Sequence, residues 1–208
     1  MIAKLNKDQT HYIIKGKQYP RLSEVMKVIP NFGLEKWKER VGYEEAERIA
    51  KETNEYGTKV HLITMYNDLD KQKKVYDMVK SEPFLLPPLL AWINYYEKYI
   101  KKWIAIERLV WSDELMVAGT IDRVDEFFGE KALSIHDIKT GSLYNEIGIR
   151  LAGYKIIWNE REKRKVERYS AVQLPRENPG EIRVKEYTNP KYEEKFREAC
   201  ETYHLMYG

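Results

Sequence analysis

Cysteine is nearly absent from this sequence, with Cys200 standing alone. A single thiol excludes an internal disulfide framework, a cysteine-rich zinc site and a cysteine-held iron–sulfur cluster. Long apolar runs are missing as well. Nothing approaches the roughly 20 apolar residues needed to span a bilayer, and the opening MIAKLNKDQT lacks the apolar stretch of a signal peptide. The expectation is a soluble cytoplasmic protein (host cytoplasm if viral) with no membrane partner. Charge of one sign is also scarce. A net charge of +3 does not by itself demand a polyanionic partner, although basic clusters recur at 71–80, 98–103 and 161–168. Runs of this kind are most often solvated helix faces.

What is present describes a folded globular chain. Hydrophobic residues make up 43% and charged residues 33% of 208 positions, a balance that builds a core and fits one domain. Tyrosine is abundant, with 16 copies. Its apolar ring and polar tip suit half-buried packing and binding surfaces alike.

Texture changes along the chain. The opening 11–25 reads as a short strand, a glycine-containing turn and a helix capped near Ser23. Helical patterning follows over 34–42 and from Tyr43 to about Tyr66, and another helix is expected from about Leu89 to Trp103, entered through Pro87 and Pro88. From there β-branched and aromatic residues dominate. Segments 104–111, 116–128 and 133–140, separated by SDE and GEK turns, read as an antiparallel meander. A helix over about 144–158, two strands near 167–174 and 181–187 forming a hairpin around Pro175–Gly180, and a helix from about Lys191 to His204 complete the chain. The expected fold is a single α/β domain. A helical part lies at about 20–103, a mixed central sheet with helices on both faces at about 104–188, and a closing helix at about 190–206.

The chemistry concentrates in the meander. Segment 133-LSIHDIKTG-141 begins as an apolar run and ends with Asp137 and Lys139, two residues apart. Strand periodicity puts them on one face. Alone, the pair is an ordinary ion pair of small energetic value. The preceding strand carries Asp122, and both acids sit seven or eight positions from the GEK turn, which makes them cross-strand neighbours if the strands pair through it. Two carboxylates that close repel unless a cation lies between them, and oxygen ligands suit Mg²⁺ or Mn²⁺. Alternation places His136 opposite in facing to Asp137, and Asp125 to Asp122, so neither joins the group.

Asp122, fourteen intervening residues, then Asp137-Ile138-Lys139 resembles the core motif of the PD-(D/E)XK nuclease superfamily, with Ile121 where the motif has proline. Further segments resemble its RecB-like, phage-type exonuclease branch: 57-GTKVH-61, 119-GTID-122, 137-DIKTG-141 and 150-RLAGY-154, the last with Arg150 in place of a glutamine. The N-terminal 19–29 and Trp37 resemble phage and bacterial members, and the similarity spans roughly residues 10–160. The resemblance implies a restriction-endonuclease-like core. It also implies one or two Mg²⁺ or Mn²⁺ ions held by His61, Asp122, Asp137 and the backbone carbonyl of Ile138. Catalytic roles fall to Asp122, Asp137, Lys139 and Glu107, while Arg150 and Tyr154 face the nucleic acid. Arginine keeps donors for a phosphate but loses the glutamine's acceptor.

The implied activity is divalent-metal-dependent hydrolysis of DNA phosphodiester bonds by a sequence-independent exonuclease of recombination, repair or replication. DNA would be bound through its backbone, with room for a homo-oligomer or a recombination or replication partner protein. Three alternatives stay open: a structure-selective or single-strand endonuclease of the same superfamily, a nucleic-acid-binding subunit without catalysis, and a housekeeping protein whose acids and lysine form structural ion pairs.

Overall fold

β4 (Ile100–Ser112), β5 (Val117–Phe127) and β6 (Leu133–Lys139) form the expected meander, the centre of a five-stranded mixed sheet in the computed structural model, which describes residues 4–176 and 181–208. The apolar and β-branched content of β6 is matched by burial on both faces, since six of its seven residues are buried. Two further strands, β7 (Val166–Gln173) and β8 (Arg183–Glu186), extend the sheet in the order β4-β5-β6-β7-β8. All neighbours are antiparallel except β6 and β7, which run parallel. Parallel neighbours need a crossover, supplied by α6 (Glu146–Arg161). The β7–β8 pairing is the expected hairpin, and residues 177–180 of its turn lie outside the described residues.

Helices cover both faces, as expected. On one, α1 (Leu22–Val25), α6 and α7 (Lys191–Tyr207) pack around Ile121, Val124, Ile135, Leu151, Ile157 and Phe196. On the other, α3 (Tyr43–Asp68), α4 (Gln72–Ser81) and α5 (Leu86–Tyr99) enclose Val60, Ile63, Val75, Leu89, Trp92 and Ile138. A further helix, α2 (Phe32–Val41), buries no residue.

Several boundaries differ from expectation. The N-terminal strand belongs to a three-stranded sheet of β1 (Lys4–Leu5), β2 (His11–Ile14) and β3 (Lys17–Pro20). Lys15 and Gly16, at φ +52° and +80°, form a turn with both residues left-handed, the geometry whose twist suits a two-residue hairpin. Ser23 lies inside α1 rather than capping it; Arg21 is the N-cap and its side chain makes no capping bond. The helix entered through Pro87 and Pro88 begins at Leu86, so both prolines occupy its first turn, where a missing N–H costs nothing. It stops at Tyr99 rather than Trp103 because Ile100 pairs with Phe127 and is drawn into the sheet.

One irregularity positions the site. The β5–β6 ladder runs from Glu126↔Leu133 to Arg123↔His136 and stops there, while β6 continues on β7 to Lys139↔Gln173. Beyond Arg123 the sheet forks. Asp122 and Asp137 are the first residues past the fork, opposite each other in the extended register. Asp122 Oδ2 accepts the Ile138 N–H at 2.9 Å, replacing the ladder bond that the fork removes.

Candidate active site

The fork opens into a cleft of about 800 Å³ lined by α3, β4, β5, β6, the 140–141 turn and α6. Gly57, His61, Glu107, Gly119, Asp122, Asp137, Ile138, Lys139, Arg150 and Tyr154 all line it. The residues expected to hold the ion, to act in catalysis or to face the nucleic acid therefore all line one cleft. Gly57 and His61 are one helical turn apart and share a face of α3. A Cβ at Gly57 would touch Thr140 Oγ1 at 3.4 Å, so the helix runs close beside the turn that follows Lys139. Gly119 answers a stricter need, since a Cβ there would lie 2.7 Å from the Tyr154 ring and 3.2 Å from Leu22. The ring rests on bare backbone.

His61, Glu107 and Asp122 bring ligand atoms within 4.8 Å of one another. His61 Nδ1 lies 3.4 Å from Asp122 Oδ2. Glu107 sits between the paired positions Ile106↔Arg123 and Arg108↔Ile121, directly across from Asp122. Its backbone is left-handed, at φ +47°. Burial, reinforced by the negative charge of Asp122, raises the Glu107 carboxyl to about 7. One imidazole and two carboxylates, with the acids held together at that cost, form a donor set that fits a hard divalent cation.

Asp137 lies in the same cleft with different partners. Lys139 Nζ is 2.6 Å from its Oδ2, and Arg150 Nη2 donates to both oxygens at 2.5 and 2.6 Å. Burial alone would raise the Asp137 carboxyl, but these two cations hold it well below the ordinary carboxylate range. The structure thus places Asp137 at the centre of an ion triad, outside the three-residue cluster of ligand atoms, and places Glu107 inside that cluster. Lys139 Nζ also reaches the Ile138 carbonyl at 3.2 Å. Burial raises the Tyr154 phenol, which therefore keeps its proton.

Asp125 and His136 are absent from the cleft lining, as alternation required. They meet each other instead: His136 Nε2 is 3.0 Å from Asp125 Oδ2, and His136 Nδ1 is 2.7 Å from Ser170 Oγ.

Sequence reasoning missed Arg123. This guanidinium is wholly buried; its Nε donates to Asp68 Oδ2 at 2.6 Å, and its Nη1 donates to Glu107 Oε1 at 3.1 Å and to the Asp122 carbonyl at 2.7 Å. It positions both acids and ties them to α3. Two signals were available. A charged residue inside an apolar strand requires a buried partner, and Asp68 falls seven residues after His61, on the same face of the helix.

No family model and no curated protein matches the chain. Among solved structures, a candidate exonuclease from Eubacterium rectale is similar over 71% of this chain and 65% of that one, with a TM-score of 0.45 and 12% identity. The chain thus spans just under two thirds of that protein, and a likeness this loose carries neither fold nor activity across. What the chain can do chemically rests on the cleft's own residues.

Proposed function

We propose that the protein is a divalent-metal-dependent nuclease that hydrolyses phosphodiester bonds of DNA, acting without sequence recognition and from strand ends, as the PD-(D/E)XK resemblance implies. The supporting observation is the convergence of His61, Glu107 and Asp122 beside the Asp137–Lys139–Arg150 triad in a single cleft. His61, Glu107 and Asp122 would hold the ion, with Asp137 and the Ile138 carbonyl at the rim. Bound there, Mg²⁺ or Mn²⁺ would neutralise charge on the scissile phosphate and acidify an attacking water.

The chain's own groups divide the remaining work. Lys139, 22% exposed at the side chain, presents an ammonium toward the phosphate and orients the attacking water. Arg150 offsets the charge of Asp137 and offers further donors to a phosphate oxygen. Arg123, buried behind the acids, fixes the Glu107 carboxylate and the Asp122 backbone.

The test is digestion of end-labelled linear DNA and of closed circular DNA with Mg²⁺, with Mn²⁺ and with chelator. Mononucleotide release from linear DNA alone, abolished by chelator, is the expected result. Intact DNA under every metal condition would overturn the reading. Cutting of the closed circle would replace the exonuclease with an endonuclease.

A further inference from the structure

At the edge of the cleft a short stack of aromatic and cationic side chains has no role in the chemistry above. Tyr56 precedes the cleft-lining Gly57 on α3. The Arg176 guanidinium lies 4.5 Å from the centroid of the Tyr56 ring, and the Phe84 ring lies 6.0 Å from it, tilted by 38°. Lys59 Nζ stands 5.6 Å over Phe84 and pairs with Glu82. Tyr56 is half-buried against the core, whereas the outer members are open: Phe84 is 47% exposed and Arg176 is exposed.

This stack is joined to the cleft through the backbone. The Leu174 N–H donates to the Lys139 carbonyl at 2.7 Å, and Gln173 Nε2 donates to the Gly141 carbonyl at 2.8 Å. The segment carrying Arg176 is therefore bonded directly to the segment carrying Lys139. Arg176 thus follows by two residues a backbone group held against Lys139, and Tyr56, on which its guanidinium stacks, is the chain neighbour of the cleft-lining Gly57.

An exposed aromatic ring and an exposed guanidinium plane each offer a flat surface to a nucleobase. Bases in a duplex have their faces covered by stacking on neighbours, so only unpaired nucleotides can use such surfaces. Lys59, beside Phe84, supplies a cation where the same strand's phosphates would pass. We propose that Phe84 and Arg176 form a stacking site for unpaired bases of single-stranded DNA, continuous with the cleft. This rests on the reading of the cleft as a phosphodiester-hydrolysing site and names its substrate as the single strand.

Binding is measured by fluorescence anisotropy in chelator, so that nothing is cut. The probes are an oligothymidylate, its abasic counterpart and a duplex of equal length. Phe84→Ala should bind oligothymidylate at least about fivefold more weakly than wild type, with abasic and duplex affinities unchanged. Phe84→Leu, which keeps apolar bulk but lacks the π face, should show the same selective loss. Arg176→Ala should weaken thymidylate more than abasic binding, while Phe128→Ala, an exposed aromatic elsewhere (59%), should change nothing. Unchanged thymidylate affinity in both Phe84 variants, or equal losses on all three probes, would overturn the stacking site. Cleavage in Mn²⁺ separates the two readings. A wild type that cuts DNA, with Phe84 variants that bind normally, overturns the stack alone. A wild type that never cuts, with Phe84 variants that lose thymidylate binding, overturns the catalytic reading alone.

Discussion

Lys139 is the residue whose role changes most with its surroundings. Next to Asp137 alone it is half of an ion pair; in the cleft it is the half-buried ammonium of the Asp137–Lys139–Arg150 triad. Lys139→Ala should reduce cleavage by about 100-fold or more, the scale of one transition-state donor or proton-transfer group. DNA binding should stay close to wild type. Single-turnover rates and anisotropy on the same preparation check both halves of this expectation. Gly119 makes an opposite demand, for absence rather than presence. Gly119→Ala sets a methyl 2.7 Å from the Tyr154 ring and 3.2 Å from Leu22, and both neighbours are buried. The overpacking should cost about 1–3 kcal/mol, measured as a shift in the urea midpoint. Ala at Gly141, where nothing lies within 4 Å, should leave the midpoint nearly unmoved.

Between elements, the tie from α3 to β5 is the buried Arg123–Asp68 pair, both side chains at 0% exposure, with Trp92 Nε1 donating to Asp68 at 2.9 Å. Removing one partner strands the other charge. Arg123→Ala should therefore cost about 3–5 kcal/mol, visible as a lowered Tm, whereas replacing Arg123 and Asp68 together by apolar residues should recover part of that loss. The sheet was legible in the sequence because its strands are β-branched and bounded by clear turns, and the site because Asp122, Asp137, Lys139 and His61 fall at motif spacing. Less legible were features set by tertiary contact. Ile100 leaves its helical pattern to pair with Phe127, and β1 is two residues whose pairing with β2 no local pattern announces. Arg123 escaped notice because its partner lies 55 residues away in sequence. The role of Glu107, expected to be catalytic, also depends on such a contact, since only the β4–β5 register sets it across from Asp122.

For the molecule as a whole, the acid limb of stability has an identifiable contributor. Glu126 accepts from Lys101 Nζ at 2.6 Å and from Arg164 Nη2 at 2.7 Å, joining β4, β5 and the segment ahead of β7. These two hydrogen bonds lower its carboxyl to about 2. Because the folded value lies below the unfolded one, the contribution is full above the ordinary glutamate range near 4.3 and disappears as pH falls toward 2. Tm measured from pH 6 down to pH 2 should fall less steeply for Glu126→Gln than for wild type, and the two curves should converge at the acid end. Identical slopes would rule out Glu126 as a contributor. Salt acts on the whole molecule through a different route. If basic surfaces bind the phosphate backbone, the logarithm of the affinity for DNA should fall linearly with the logarithm of salt concentration, with a slope proportional to the number of phosphates contacted.

The left-handed backbone at Glu107 has a consequence for redesign. For an L residue other than glycine this conformation costs roughly 1–2 kcal/mol, so the backbone taken alone favours glycine at position 107. That substitution would delete one of the three clustered ligand groups, and it would also take a carboxylate partner from the buried Arg123 guanidinium, a loss that offsets the relief of the backbone. A variant kept for its melting temperature could then pass every folding assay and lack a member of the donor set proposed to hold the ion. Position 107 therefore has to be held fixed in any stability-led library, and improved variants need to be screened for metal binding as well as for heat resistance.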